Sequence, residues 1–233
     1  MKNSKEFIKI FNALEHYLNK LVNKPRYLRF SELLEEASKI NPAVREYAND
    51  LREFAELRNA IVHAPTGKII AEVFSSTVEK FKKIYKRIKT PLKAYEIASR
   101  PVYCCDLDDS LSLQIKVMRR KTYTHVPVYH GDLFIGVLSE SSIFNWLSDL
   151  TRLDLDFNKL KVKDIKKYLS IQNRPNEYFK FVSKHANAYL IKQWFNESIR
   201  ENKRLGAVFV TQTGAKDEKI LGIITAWDLP RIK

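Results

Sequence analysis

The sequence predicts an α+β protein in two parts, four amphipathic helices over residues 1–90 and two β-α-β-β-α repeats over 91–233. Three observations carry that prediction. Apolar residues recur every three or four positions through the first part, the pattern of helices with one buried stripe. After Pro91, short β-rich runs alternate with helical patterns. An eight-residue segment, Gly136-Val137-Leu138-Ser139-Glu140-Ser141-Ser142-Ile143, returns 86 positions later as Gly222-Ile223-Ile224-Thr225-Ala226-Trp227-Asp228-Leu229.

In the first part, Phe7, Ile8, Phe11, Leu14, Leu18, Leu21 and Val22 stripe a helix that must end before Pro25, because the residue preceding a proline avoids helical geometry. Ser31 is the expected cap of a second helix carrying Leu33, Leu34, Ala37 and Ile40. Asn41-Pro42 places a capping residue before a proline at the first helical position, so a third helix is expected from there to about His63, where Pro65 and Gly67 end it. Ser76 precedes a fourth, with Val78, Phe81, Ile84, Tyr85 and Ile88 on one face and Lys80, Lys82, Lys83, Lys86 and Arg87 on the other.

The second part divides into repeats at about 91–150 and 160–233. In the first, Val102 to Cys105 predicts a strand, Leu111 to Met118 a helix, Val126 to Tyr129 a strand, Gly131-Asp132 a turn, Leu133 to Leu138 a strand and the run through Trp146 a helix. In the second, Tyr178 to Val182, Ala188 to Ile199, Ala207 to Thr211 and Ile220 to Ile224 repeat that order.

The 233 residues carry a formal charge of +14 and are 45% hydrophobic, enough apolar material for a real core and too much for disorder. The excess is +7 in each of the segments 1–90 and 91–233, a distribution compatible with polyanions such as RNA or nucleotide phosphates. No run approaches the roughly 20 apolar residues of a membrane span, and Met1 to Ile10 holds no secretory hydrophobic region, so a cytoplasmic protein without membrane contact is expected. The two cysteines, Cys104 and Cys105, are adjacent, which excludes a disulfide framework and a structural zinc site. Two small buried strand residues are expected there. His125, His130 and His185 are scattered and read as surface or internally satisfied side chains. No metal site is expected.

A strand running into a helix N-terminus offers free N–H groups and the positive end of the helix dipole to a phosphate. A hydroxyl at that junction adds a donor, and an acid three residues on can accept both hydroxyls of a ribose. Thr225 and Asp228 have this chemistry. The same pair is also what an unliganded helix cap requires, and the spacing leaves both readings open. Here the segment from Pro91 resembles a tandem pair of CBS domains (cystathionine β-synthase domains). In that family the signature Gly-apolar-x-Ser/Thr-x-x-Asp/Asn implies adenine-nucleotide binding, the hydroxyl at phosphate and the acid at ribose. Gly222 to Asp228 matches each position, and Tyr123-Thr124-His125-Val126-Pro127-Val128-Tyr129 is similar to the family's second strand. The first repeat departs at Ser142, which cannot supply the charge-assisted bond of an acid. The resemblance implies a regulatory, non-catalytic pair holding AMP, ADP, ATP or a related ligand at Gly222, Thr225, Asp228, Ser139, Ser142, Tyr123, Thr124 and Pro127.

Arg58-Asn59-Ala60-Ile61-Val62-His63 is the other informative run. Five positions at about 100° each set Arg58 and His63 roughly 140° apart on a straight helix, so convergence needs a bent helix end or a second subunit. An Arg that holds a phosphate beside a His that moves a proton is the chemistry of metal-free RNA cleavage. An Arg paired with Glu53 or Glu56 and a His on the last carbonyls is the structural alternative. The four-helix pattern with Arg-Asn-x-x-x-His resembles a HEPN domain (higher eukaryotes and prokaryotes nucleotide-binding), which implies either a metal-independent ribonuclease using Arg58 and His63, with Asn59 in support, or an inactive assembly domain. The two resemblances together imply a homodimeric nucleotide sensor that controls or assembles with a helical effector, RNA being the effector's candidate substrate.

Overall fold

The computed structural model describes residues 1–62, 69–150, 156–172, 174 and 177–232, and the chain forms two compact units, 1–92 with 187–190 and 93–186 with 191–233. The first unit is helical. Helix α1 (Lys2–Val22) buries Phe7, Phe11, Leu14 and Leu18 and closes at Asn23, whose left-handed backbone returns its N–H to Asn19. Helix α2 (Phe30–Ile40) begins two residues earlier than a Ser31 cap allows. The Glu32 carboxylate reaches back to the Arg29 N–H at 3.1 Å, so the third residue of the helix closes its own N-terminus and Ser31 lies inside it.

The helix expected from Pro42 to His63 is two helices, α3 (Pro42–Glu46) and α4 (Ala48–Ile61), interrupted at Tyr47 with φ −98° and ψ 13°. Asn41 caps α3 through its side-chain oxygen, which accepts from the Ala43 N–H at 2.9 Å. The hydroxyl of Tyr47 accepts from Arg87 at 2.9 Å, an anchor for the interruption that periodicity cannot reveal. Helix α5 (Ser75–Lys89) follows, with Phe74 rather than Ser76 preceding its first turn. Its Phe81 stacks against Phe54 of α4 at 4.3 Å between ring centres and against Phe7 of α1 at 5.1 Å, an aromatic centre for the bundle.

The second unit contains two sheets of the same topology. The short helix α6 (Ala94–Ile97), which the sequence did not predict, precedes β1 (Cys105–Asp106), α7 (Leu111–Lys121), β2 (His125–His130), β3 (Leu133–Ser139) and α8 (Glu140–Ser148). A 3₁₀ turn, Val162–Tyr168, also unpredicted, leads on to β4 (Tyr178–Ser183), α9 (Ala188–Arg200), β5 (Leu205–Thr211), β6 (Gly222–Ile224) and a terminal 3₁₀ turn, Ala226–Arg231. In each sheet the first strand runs parallel to the central one and the third antiparallel to it. Strand β1 is shorter and later than expected, because only Cys105 and Asp106 register with Val128 and Tyr129. Cys105 is buried and its thiol is pushed up to about 12 by burial, whereas Cys104 is exposed, against the expectation of two buried residues. The sheets share an apolar layer of Val137, Ala207, Phe209 and Ile220, with Phe134 meeting Phe181 at 5.8 Å and Phe209 at 6.1 Å between ring centres. No helix among the described residues is long and apolar enough to cross a membrane.

Candidate functional site

Each repeat sets a hydroxyl where its third strand ends and a helix begins. Ser139 ends β3, and its N–H donates to the Ser142 hydroxyl at 2.8 Å; Thr225 follows β6, and its N–H donates to the Asp228 carboxylate at 2.8 Å. The two signatures therefore have one local geometry, with Ser142 in the place of Asp228. The glycine that opens each is needed for close approach. A Cβ on Gly222 would stand 2.7 Å from the Ala98 Cβ, and one on Gly136 would stand 2.1 Å from the Leu169 carbonyl oxygen.

Beyond that geometry the two differ. Thr225 and Asp228 line a cleft of about 890 Å³, a size suited to a small ligand, whose wall also includes Ser99, Tyr103, Arg119, Lys121, Tyr123, Thr124, His125, Glu140, Trp227 and Arg231. Tyr123 and Thr124 thus join Thr225 and Asp228 at one surface, although about a hundred residues separate the pairs in sequence. The Tyr123 ring stacks on Tyr103 at 5.7 Å with 26° between planes, and the Tyr103 hydroxyl donates to Gln114 at 2.7 Å, which fixes the aromatic wall. Asp228 is 4% exposed and fully engaged. One oxygen accepts from the Thr225 N–H and, at 3.1 Å, from its hydroxyl; the other accepts from Ser99 at 2.7 Å and Arg231 at 2.9 Å. A carboxylate has about four acceptor positions, so all are filled. This is the capping arrangement that the sequence left open beside the ligand reading, and a ligand hydroxyl enters only by exchanging with Ser99 or Arg231.

Ser139 and Ser142 do not reach the cleft. Both are buried, and the Ser139 hydroxyl donates to Glu177 at 2.8 Å and accepts from Arg174 at 3.1 Å. The side chains of Arg174 and Glu177 are 7% and 1% exposed and pair at 2.9 Å. The same guanidinium donates to the carbonyls of Ser170, at 2.6 Å, of Tyr168, at 3.0 Å, and of Leu169, at 2.9 Å, and also to that of Val137. His125 completes the cluster, with Nε2 2.8 Å from Glu177 and Nδ1 2.8 Å from the Thr124 hydroxyl, the internally satisfied histidine that its sequence context allowed. Burial acts to raise the Glu177 carboxyl, but the contacts of His125, Ser139 and Arg174 outweigh it and hold the group below its ordinary value. Pro127 is buried in β2 opposite Val137 and Gly222 is buried in β6, so neither is a wall of the cleft.

Comparison with known families places this architecture. Residues 94–149 match the family model of the CBS domain. Over these residues the chain is similar to CBS domains. The matched segment takes in Ser139 and Ser142 and ends before the repeat that carries Thr225 and Asp228. Similar solved structures include a signal-transduction protein with CBS domains from Burkholderia ambifaria, 16% identical over 60% of this chain and 92% of that one with a TM-score of 0.42. The CBS domain pair of protein MJ0100, in complex with 5′-methylthioadenosine and S-adenosyl-L-methionine, is 15% identical over 60% of this chain and 94% of that one, TM-score 0.41. CBSX2, in complex with AMP, is 15% identical over 60% and 93%, TM-score 0.42. No curated protein matches the chain.

Outside the matched segment and its repeat, Arg58 and Asn59 sit in the last turn of α4, where the Arg58 guanidinium donates to the Asn59 side chain at 3.2 Å. His63 lies outside the described residues. One side-chain cluster is absent from the sequence reading, which expected no metal ligands. Asp106, Asp108 and His130 bring one ligand atom each within 4.8 Å of one another, because β1 pairs with β2, and Asp108 is already paired with Lys163 at 2.7 Å and Lys161 at 3.4 Å. Ser99, Tyr103 and Arg231 were also missed, since nothing in their local sequence marks them. Arg174 and Glu177 stand in a polar run, Gln172 to Glu177, that reads as a solvated loop.

Proposed function

We propose that the cleft binds an adenine nucleotide and that its occupancy regulates the helical part of the chain or a partner protein. The observation that carries this reading is the convergence of Thr225 and Asp228 from one repeat with Tyr123 and Thr124 from the other on a single cleft of about 890 Å³. The ribose lies at Asp228, taking the place of the Ser99 hydroxyl or the Arg231 guanidinium, and the phosphate at the Thr225 hydroxyl, which turns its proton from Asp228 to the ligand. The purine takes the aromatic wall of Tyr123 and Tyr103. Charge favours a phosphorylated ligand over a cationic sulfonium nucleoside. Arg231 and Asp228 are paired with each other, which leaves Arg119 and Lys121 against Glu140.

The helical unit is read as a HEPN-like effector, with Arg58 and Asn59 in a helix end and His63 as its partner base, acting as a homodimer on RNA without a metal. The regulatory reading is preferred because Thr225, Asp228, Tyr123 and Thr124 meet on one cleft among the described residues. Thermal melts with AMP, ADP, ATP, adenosine and S-adenosylmethionine at 1 mM test it. A ligand at about 100 times its Kd adds roughly 2.7 kcal/mol to stability, so the three nucleotides should raise Tm by several degrees and the sulfonium compound should not. No shift with any nucleotide would overturn the reading. Incubation with single-stranded RNA in EDTA, for wild type and for His63→Ala, tests the ribonuclease.

A further inference from the structure

We infer that the protein binds one nucleotide per chain, because the signature of the first repeat is permanently occupied by the chain's own Arg174–Glu177 ion pair. The inference rests on the nucleotide reading of the Thr225 cleft and deepens it.

The two signatures begin as equivalents and part for a countable reason. The Ile223 N–H donates to the Ser99 carbonyl at 3.2 Å, and the Val137 N–H donates to the Leu169 carbonyl at 2.8 Å, so Ser99 and Leu169 hold matching places beside the two signatures. Downstream, Cys105 pairs with Val128 and Val182 with Val210, and these partners in turn face Gly136 and Gly222. Cys105 and Val182 therefore match as well. The chain takes 6 steps from Ser99 to Cys105 and 13 from Leu169 to Val182, as residue numbers give directly. The second passage is thus 7 residues longer, and it carries Arg174 and Glu177.

That extra length fills what a ligand would need. The Glu177 carboxylate takes the Ser139 hydroxyl, the counterpart of Thr225, and Arg174 binds the same hydroxyl and four backbone carbonyls around it. Ser142, the counterpart of Asp228, is 1% exposed, with its hydroxyl committed to the Ser139 carbonyl at 2.8 Å. Among the described residues no buried side-chain polar atom at this junction lacks a partner, and Ser139, Ser142, Arg174 and Glu177 are not part of the cleft wall, which the cluster meets only through His125. Evicting the plug would leave two buried charges to be rehydrated or paired anew, whereas the open site asks only for exchange of a hydroxyl or a half-exposed guanidinium.

Equilibrium dialysis of the full chain against radiolabelled AMP, with protein concentration fixed by amino-acid analysis, tests the inference. Saturation is expected at one AMP per chain. Ser139→Ala should keep that stoichiometry with affinity within about twofold, and Asp228→Asn should weaken binding tenfold or more. Saturation at two AMP per chain, or one site lost in Ser139→Ala and kept in Asp228→Asn, overturns the inference while leaving nucleotide binding in place. Absence of AMP binding by wild type overturns the nucleotide reading and this inference with it.

Discussion

Arg174→Ala should lower stability more than any surface change in the second unit. The guanidinium is buried, neutralises Glu177 at 2.9 Å, and donates to the carbonyls of Val137, Tyr168, Leu169 and Ser170. Removing it leaves Glu177 as a buried charge held, among the described residues, by His125 and Ser139, with Arg204 at 3.9 Å on the rim. Breaking a buried pair by deleting one partner costs about 3–5 kcal/mol. For a unit of this size each kcal/mol lowers Tm by roughly 2–4 °C, so a fall of roughly 6–20 °C is expected. All three tryptophans, Trp146, Trp194 and Trp227, lie in the second unit, so the fluorescence melt reports on the right part of the molecule. Replacing both partners, Arg174→Met with Glu177→Gln, removes the stranded charge and should cost less than the two single changes added together. A loss below about 1 kcal/mol in Arg174→Ala, or strict additivity in the pair, would refute the view that this cluster is a sealed plug.

Three further outcomes follow from the same geometry. The Glu177 carboxyl is held below its ordinary value of 4.5, so its contribution to stability is present above about pH 4.5 and is lost as pH falls through the lower folded value; the stability gap between wild type and Glu177→Gln should be constant near neutrality and shrink under acid, as urea titrations across pH would show. Trp227 lines the cleft and is 85% exposed, so AMP should change its fluorescence, and the change should vanish in Trp227→Phe while binding persists by dialysis. Arg231→Ala frees one acceptor position on Asp228 and removes a cation from the cleft, so calorimetry should find weaker AMP binding and unchanged or tighter adenosine binding; equal losses for both ligands would argue against a charge contribution of Arg231 to phosphate binding.

What the sequence made legible was set by how local its cause is. The stripe of Phe7, Phe11, Leu14 and Leu18 and the Asn41 cap act within a few residues, and the structure shows them as read. The Tyr47 side chain at the interruption meets Arg87, forty residues on, and the early start of α2 rests on a choice between Ser31 and Glu32 that composition does not decide. At the junctions, the repeat revealed the shared strand-to-helix geometry of Ser139 and Thr225. It could not reveal their different fates, because Arg174 and Glu177 meet Ser139 and Val137 only through tertiary contacts, 35 to 38 residues along the chain. Ser99 and Arg231 were hidden for the same reason, each meeting Asp228 through tertiary placement, Ser99 from 129 residues away.

We propose that Asp228, in the cleft lined by both repeats, holds the ribose of an adenine nucleotide. Isothermal titration of AMP into wild type, Asp228→Ala and Asp228→Asn tests it most directly, with circular dichroism confirming that each variant is folded. A lost hydrogen bond to a charged group costs about 1.5–3 kcal/mol, so both variants should bind at least tenfold more weakly than wild type, with the heat of binding much reduced. Folded variants that bind AMP as tightly as wild type would contradict the assignment and leave Asp228 as the cap of the terminal turn.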